Sequence, residues 1–247
     1  MPRFFVKTEQ IEEKTITIIG EDVKHIKNVL RKQNGDNLEI CNQETGTIYK
    51  CEIIDLKEQE IINRIIEENE TIEDAIKVDI YQGLPKSDKM ELIIQKSIEL
   101  GANAIIPVEM KRCVVKLDSK SEGKKIERWQ KIAESAAKQS GRSTIPEIRR
   151  IVKVEDIVKL KNDYDSIIVC YENEKENYIK NELLKLKNKQ KAKIAVVIGP
   201  EGGLEEKDVE VLKQNGASIV TLGNRILRTE TVALNLLSII MYELQNG

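Results

Sequence analysis

The segment LGNRILRTETVALNLL places a cluster of polar residues at the entrance of an apolar helix pattern. The cluster consists of Arg225, Arg228, Thr229, Glu230 and Thr231. A short cap and a few solvated charges would serve the packing of such a helix, and Thr229 or Thr231 can supply the cap. The two arginines exceed that requirement, so this segment is a candidate site for chemistry.

Two other loops follow apolar strand patterns, IGPEGG from Ile198 to Gly203 and CYEN from Cys170 to Asn173. Ligands of parallel α/β sheets bind at the carboxyl ends of the strands. The glycines of IGPEGG let a ligand approach the backbone closely, and the free N–H groups of the helix that follows point to the same place. Taken alone, IGPEGG is explained as well by a tight turn that needs glycine. Together, the three loops indicate the walls of one cofactor site.

Several familiar site patterns do not occur in the sequence. No GxGxxG follows a strand and there is no GxxxxGK[ST], so neither a Rossmann dinucleotide site nor a P-loop is indicated. No GxSxG motif or cysteine–histidine pairing suggests a hydrolase. His25 is the one histidine, and the four cysteines are scattered without a CxxC, which argues against a metal centre, a structural zinc site and a disulfide framework.

The elements that must position these loops fall into two sections of the chain. The first seventy residues read as short strands around one short helix, GEDVKHIKNVLR, which is typical of a small barrel or a partial barrel. The charged stretch from Glu67 to Asp74 is a candidate linker. From Ala75 onward strands alternate with helices and several strands are wholly apolar, which predicts a parallel sheet covered on both faces.

The final helix pattern is apolar around most of its circumference. From Val232 to Leu244, one narrow polar stripe is formed by Asn235, Ser238 and Tyr242. Such a helix is buried on nearly all sides, either inside its domain or against another subunit. We favour a homodimer interface.

Composition describes a soluble globular protein of 247 residues, 40% apolar and 33% charged. The sequence has no signal-peptide pattern and no apolar run that could span a membrane, so we expect a cytoplasmic protein. The net charge of −2 by itself argues against a nucleic-acid partner. However, Leu84 to Arg150 holds 15 basic and 9 acidic residues, against 25 and 33 elsewhere. That asymmetry indicates either a local basic face or a set of solvated helix surfaces.

The segments IGPEGGLEEKDVE and TLGNRILRTETVAL resemble the C-terminal signature of the bacterial 16S rRNA (uracil-N3)-methyltransferases, the RsmE family of the SPOUT superfamily. The resemblance covers the whole chain, because MPRFFV, His25 with VLR at 29–31, LPKSDKMELIIQKSIELG and ERWQKIAESAAKQSGR also match. Three positions depart from the family pattern. Asn224 stands where proline is usual, Val232 where alanine is common, and Ser87 where glycine is frequent.

This resemblance implies an α/β protein in which residues 1–72 form a PUA-like β-barrel that binds RNA. Residues 73–247 then form a SPOUT methyltransferase domain whose C-terminal segment is threaded as a trefoil knot. It implies a homodimer that binds S-adenosyl-L-methionine and methylates N3 of a specific uridine in 16S rRNA, on the assembled small ribosomal subunit. It implies neither a metal nor a membrane partner.

The reaction suggests roles for the charged residues. N3 of uracil carries a proton at neutral pH, and the anion left by its removal spreads over O2 and O4, where cationic donors stabilise it. We expect Arg228 to stabilise this anion or orient the base, and Arg225 to act as a second donor to uracil or a phosphate. Glu230 or Glu201 is a candidate acceptor of the N3 proton. Alternatively, each glutamate holds a loop or an arginine in place.

The resemblance also implies which residues bind ligands. The expected cofactor-binding residues are Tyr171, Glu172, Ile198, Gly199, Pro200, Gly202, Gly203, Leu222, Gly223, Ile226 and Leu227. The candidate RNA contacts, all but one of them basic side chains suited to phosphate, are Arg3, His25, Arg31, Lys86, Lys89, Arg112 and Arg142. For His25 an ordinary surface or capping role stays open. Trp129 has helical spacing with apolar neighbours, which favours core packing over base stacking.

Three competing functions stay open from the sequence. One is a SPOUT methyltransferase that acts on tRNA or on another rRNA site. The second is a non-catalytic RNA-binding or assembly factor, which the intact RILRTET and GPEGG segments disfavour. The third is an enzyme for small nucleotides, which the absence of phosphate-binding motifs disfavours.

Overall fold

The computed structural model describes residues 3–69, 75–86 and 89–245. Contacts divide the chain into two compact units. One comprises the described part of Met1–Glu73 together with Ala137–Ile145, and the other comprises the described remainder. The predicted domain boundary at 72/73 and Ser87, one of the three departures from the family pattern, lie outside the described residues.

The N-terminal unit is built on a five-stranded sheet. Its strands are β1 (Arg3–Val6), β2 (Thr15–Ile19), β3 (Asn37–Asn42), β4 (Ile48–Leu56) and β5 (Glu60–Asn69). The strand order is β1-β3-β4-β5-β2, with β1 parallel to β3 and the other pairs antiparallel. Along β4, Tyr49, Cys51 and Ile53 are buried whereas Lys50 is exposed, as expected for a strand with one face on a core. The short strands predicted for the first seventy residues are therefore present.

The predicted helix between β2 and β3 is present but irregular. It begins as α1 (Glu21–Lys24) and continues as a π-helix over His25–Val29, with Val23 and Ile26 in the core. Arg31 follows with a φ of 53°, and it is the one non-glycine residue with positive φ among those described. Side chains of this type rarely adopt that conformation.

The second unit is an α/β structure on a parallel sheet. Its strands are β6 (Ile76–Gly83), β7 (Ala104–Glu109), β8 (Glu147–Ile148), β9 (Val152–Lys153), β10 (Ser166–Cys170), β11 (Ala192–Ile198) and β12 (Ser218–Val220). Its helices are α2 (Lys89–Glu99), α3 (Ser119–Ser140), α4 (Val154–Lys159), α5 (Ile179–Leu186), α6 (Glu206–Gln214) and α7 (Thr229–Gln245), although the last turn of α3 is counted with the first unit.

The sheet has the order β12-β10-β11-β6-β7-β8, and β9 also pairs with β7. All of these pairs are parallel. Six of the seven residues of β11 are buried, which confirms the predicted sheet covered on both faces. The carboxyl ends of the adjacent strands β6, β11, β10 and β12 therefore lie along one edge, where the candidate loops begin.

The final helix α7 packs against β6, β11, α2 and α5. Its inner face is buried, whereas Asn235, Ser238 and Tyr242 are exposed and form the stripe that the sequence indicated. Among the described residues, no helix is long and apolar enough to cross a membrane. The cysteines are free thiols, and Trp129 is buried, as predicted.

Candidate active site

Three loops of the second unit enclose one pocket of about 510 Å³. They follow β10, β11 and β12, so the pocket lies at the carboxyl edge of the parallel sheet. All eleven residues expected to bind a cofactor line this pocket, together with Arg225, Arg228 and Glu201. Four further lining residues lie in the predicted loop segments but were not among the expected cofactor residues: Cys170, Asn224, Thr229 and Val232. Outside those segments, the pocket is also lined by Lys89, Lys175, Val220 and Thr221.

Glu172 and Gly203 bring two of the loops together. A Cβ atom on Gly203 would lie 2.3 Å from Glu172 Oε1, and Gly203 has a φ of 72°. The left-handed backbone favours glycine here, and a side chain would also displace the Glu172 carboxylate. The Glu172 carboxylate thus lies against the backbone of the glycine loop, where its oxygens can accept hydrogen bonds from a ligand.

The end of β6 is equally close to the glycine loop. A Cβ atom on Gly83 would lie 2.7 Å from both the Cδ and N atoms of Pro200, and 2.9 Å from Met110 Sδ. Since two of these atoms belong to a rigid ring and backbone, a side chain at position 83 would displace the loop. Gly83 thereby fixes the distance between the sheet and the pocket wall.

Lys89, the first residue of α2, connects the two candidate glutamates. Its Nζ atom lies 3.2 Å from Glu201 Oε1 and 3.3 Å from Glu230 Oε2. The Lys86 N–H donates to both Glu201 oxygens, at 3.0 and 3.3 Å. Glu201 therefore joins the glycine loop to the segment before α2, and Glu230 joins α7 to the same lysine.

These contacts shift the pKa values of Lys89 and Glu201. The hydrogen bond to Glu201 is the main cause that raises the pKa of Lys89. Burial raises the pKa of Glu201, but the N–H groups of Glu201 and Lys86, together with Lys89, outweigh burial and hold the pKa below its ordinary value. Glu201 is consequently ionised at neutral pH, with its oxygens already occupied by donors, which makes it a weak base.

Arg225 and Arg228, unlike Lys89, are not held by carboxylates of the described residues. Both are exposed, both line the pocket, and neither has an ion pair or a side-chain hydrogen bond within the described part of the chain. Ile226 between them is 84% exposed. The two guanidinium groups are therefore available to an anionic ligand.

Thr229 does not act as the predicted cap of α7. Its hydroxyl donates to the carbonyl of Gly199 at 2.7 Å, while the carbonyl of Arg228 accepts the N–H groups of Thr231 and Val232. Gln82, near the end of β6, donates in turn to Thr229 Oγ1 at 2.8 Å. The sequence analysis did not identify Gln82. A polar amide within an otherwise apolar strand pattern could have pointed to it.

The candidate RNA contacts have different surroundings. In the first unit Arg3 is paired with Glu39 at 3.3 Å and donates to Gly141, whereas His25 and Arg31 are exposed. The Phe4 and His25 rings meet edge to face.

The remaining RNA candidates are also unequally available. Arg142 is half-buried and engaged in further interactions. In the second unit Arg112 donates to the carbonyl of Gly202 at 3.0 Å, which fixes it on the glycine loop. The Lys86 side chain is exposed, whereas Lys89 is held by two carboxylates. Exposed and unpaired side chains are the better phosphate contacts.

Across residues 3–69, 75–86 and 89–245, no group of three or more histidine, cysteine, aspartate or glutamate side chains could hold a metal ion. Among the described residues that line it, the pocket offers backbone groups of glycine, apolar side chains, the exposed carboxylate of Glu172 and the exposed guanidinium groups of Arg225 and Arg228. This combination suits an organic ligand with polar ends.

Comparison with known proteins identifies both sections of the chain. Residues 72–241 match the family described as RNA methyltransferase domain, and residues 18–66 match the family described as RNA methyltransferase PUA domain. The chain is 43% identical over 249 residues to the ribosomal RNA small subunit methyltransferase E of Bacillus subtilis, covering 98% of this chain and 97% of the relative. It is 31% identical to the protein of the same name from Mesomycoplasma hyopneumoniae, covering 96% and 98%.

A solved structure of the same family is also similar to this chain. The ribosomal RNA small subunit methyltransferase E of Neisseria gonorrhoeae bound to S-adenosyl methionine is 30% identical and superposes with a TM-score of 0.84, over 98% of this chain and 97% of that one. The family that the IGPEGG and RILRTET motifs indicated is thereby confirmed. The chain belongs to the family of ribosomal RNA small subunit methyltransferase E proteins, with an RNA methyltransferase PUA domain followed by an RNA methyltransferase domain.

Proposed function

We propose that this protein transfers the methyl group of S-adenosyl-L-methionine to N3 of a specific uridine in the rRNA of the small ribosomal subunit. The observation that carries the proposal is the meeting of eleven expected cofactor residues and two unpaired arginines in one pocket. The relatives in this family carry the name of small-subunit rRNA methyltransferases, and one of them is bound to S-adenosyl methionine.

The pocket fits that cofactor. Its volume lies in the range of pockets for small organic ligands, roughly 300–1,000 Å³. Ile198, Leu222 and Leu227 supply apolar surface for an adenine ring, and the glycines expose backbone groups. The Glu172 carboxylate is placed to accept ribose hydroxyls. When bound, S-adenosylmethionine supplies a methyl group that its sulfonium has already activated.

The two arginines explain how the uracil can become nucleophilic at N3. Removal of the N3 proton leaves negative charge on uracil O2 and O4, and fixed cationic donors lower the free energy of that anion. Arg228 is assigned to the uracil oxygens, and Arg225 to uracil or to an adjacent phosphate. Neither arginine must first break an ion pair with a described residue, because each is exposed and unpaired there.

Of the two roles open to the glutamates, the contacts favour loop holding. Glu201 is engaged with Lys86 and Lys89, and Glu230 shares Lys89 and is absent from the pocket lining. We therefore assign Glu201 and Glu230 to positioning, and we assign removal of the N3 proton to solvent, assisted by the arginines.

The remaining features of the proposal concern the whole molecule. N3 is on the Watson–Crick edge, so the target uridine must be unpaired or turned outward. We propose that residues 1–72 form a PUA-like β-barrel that binds RNA. Residues 73–247 are proposed to carry a trefoil knot. We further propose a cytoplasmic homodimer that acts on the assembled small subunit.

A methylation assay tests the proposal directly. The protein is incubated with S-adenosylmethionine labelled in its methyl group and with small subunits from a strain lacking this modification; free rRNA serves as a second substrate. We expect label on N3 of one uridine, with subunits preferred over free rRNA. Label on a ribose or another base would overturn the assignment, and label on tRNA alone would favour a different SPOUT activity.

A further inference from the structure

Gln82, Thr229 and the carbonyl of Gly199 form a buried polar group beneath the pocket, here called the Gln82–Thr229 junction. Gln82 Nε2 donates to Thr229 Oγ1 at 2.8 Å and to the Gly83 carbonyl at 2.9 Å. The Thr229 hydroxyl in turn donates a hydrogen bond to the Gly199 carbonyl at 2.7 Å. The two hydrogen bonds from Gln82 to Thr229 and from Thr229 to Gly199 thus run in one direction, from β6 through α7 to the glycine loop.

The junction connects three elements that are distant in sequence. Gln82 is near the end of β6, Gly199 begins the glycine loop after β11, and Thr229 is the first residue of α7. Gln82 is 0% exposed and Thr229 is 6% exposed. Water therefore does not compete for these hydrogen bonds, and each bond constrains geometry more strongly than a surface bond would.

The junction also has a cost that simple packing would avoid. Gln82 Oε1 is buried, and no described residue donates a hydrogen bond to it. A buried acceptor left unpaired is unfavourable, whereas an apolar side chain of similar shape would remove the penalty. An amide at this position is therefore better explained by what its nitrogen holds than by its contribution to the core.

What the nitrogen holds is the start of α7, next to the free arginines. Thr229 directly follows Arg228, whose carbonyl accepts the first N–H bonds of the helix. Gly199 and Thr229 both line the pocket. A shift at the junction would thus move the cofactor wall and the guanidinium of Arg228 together.

We propose that Gln82 and Thr229 are positioning residues for methyl transfer. Their junction sets the spacing between the glycine loop and the first turn of α7, and so aligns the cofactor wall with Arg228. This inference rests on the proposed function, because it assigns a purpose to residues beneath the same site. Neither residue is assigned contact with the uracil.

Matched substitutions at position 229 test the inference. Thr229→Val keeps the shape and removes the hydroxyl, whereas Thr229→Ser keeps the hydroxyl and removes a methyl group. Full-length variants are titrated with S-adenosylmethionine by calorimetry, and single-turnover methylation of small subunits is measured. We expect Thr229→Val to weaken cofactor binding or slow methylation about tenfold, the loss of one buried hydrogen-bond link, and Thr229→Ser to stay within about twofold.

Gln82→Met supplies a second test that separates positioning from stability. It removes the unpaired acceptor together with the hydrogen bonds that Nε2 donates to Thr229 and Gly83, so we expect the two effects to offset and the thermal midpoint without ligand to stay close to that of the parent. Methylation should nevertheless fall as in Thr229→Val. Parental binding and rates in both variants would overturn the inference, as would equal losses in Thr229→Ser and Thr229→Val. Failure of the parent to bind S-adenosylmethionine would instead overturn the proposed function, and this inference with it.

Discussion

At the scale of single residues, the pocket contains cations in two electrostatic situations. Lys89 is compensated by Glu201 and Glu230, whereas Arg225 and Arg228 have no carboxylate partner among the described residues. A compensated cation holds structure, and an uncompensated guanidinium next to a ligand pocket is available to bind a developing anion. Charge alone did not distinguish these residues in the sequence; their partners do.

This difference predicts the effect of substitutions at Arg228. Arg228→Ala removes a donor from the uracil oxygens, so we expect kcat to fall about 100-fold. S-adenosylmethionine affinity should change little. Arg228→Lys keeps the charge but loses the planar fork, and we expect an intermediate loss of about tenfold. Single-turnover methylation and calorimetry measure the two quantities, and an Arg228→Ala protein with the parental rate would refute the role.

The pH dependence of methylation tests the role of Glu201. If solvent removes the N3 proton, the rate rises about tenfold per pH unit through the neutral range in the parent and in Glu201→Gln alike. If Glu201 removes it, the parental rate is flat at neutral pH and Glu201→Gln is inactive. Parallel rising profiles are expected, with Glu201→Gln lower by a constant factor because a loop contact is lost.

The stability contributed by Glu201 has a defined pH window. Its folded-state pKa is lowered, so the contribution is present above the unfolded value of roughly 4.3 and is lost as pH falls through the folded pKa. The stability difference between parent and Glu201→Gln should therefore shrink in acid, as urea unfolding at several pH values would show.

At the scale of elements, the sequence predicted the strands and helices well because their periodicity is local. The β12-β10-β11-β6 order was not deducible, since it depends on which strands pair. The π-helix over His25–Val29 was also missed: α-helical spacing puts Val29 on the face of Val23 and Ile26, whereas Val29 is 66% exposed in the structure. The Lys89 contacts depend on bringing residues 89, 201 and 230 together, which no local pattern encodes.

Gly83 provides a prediction about how β6 supports the glycine loop. In Gly83→Ala the new methyl group would lie 2.7 Å from the ring and nitrogen of Pro200, so the loop must move. We expect a loss of about 1–3 kcal/mol in stability and weaker binding of S-adenosylmethionine. Thermal unfolding with and without ligand measures both effects.

Gly123→Ala is the matched control for this change. It lies inside α3 with nothing within 4 Å of the added methyl group. It should stabilise the protein by about 0.5–1 kcal/mol because alanine favours helix, and it should leave ligand binding unchanged. Equal behaviour of the two variants would show that the close approach at Gly83 has no consequence.

At the scale of the whole molecule, a protein with a net charge of −2 must bind rRNA, which is a polyanion. The excess of basic residues between Leu84 and Arg150 predicted where positive charge accumulates along the chain, but much of it is locally compensated. Arg128 pairs with Glu91 and Lys111 with Glu205. We therefore expect RNA affinity to come from the few cations that have no carboxylate partner among the described residues, rather than from the total number of basic residues. Arg31 is the clearest of these cations in the N-terminal unit.

Arg31 is exposed, and its φ of 53° is unusual for an arginine. Arg31→Asn removes the charge while supplying a residue that tolerates this backbone conformation, so we expect stability to change by less than about 0.5 kcal/mol. Binding to unmodified small subunits should weaken, and the slope of log affinity against log salt should fall by about one. Lys89→Met, which removes a cation already held by two carboxylates, should leave that slope unchanged. If Arg31→Asn binds with the parental slope while Lys89→Met does not, the phosphate contact lies beside the pocket and Arg31 has no part in it.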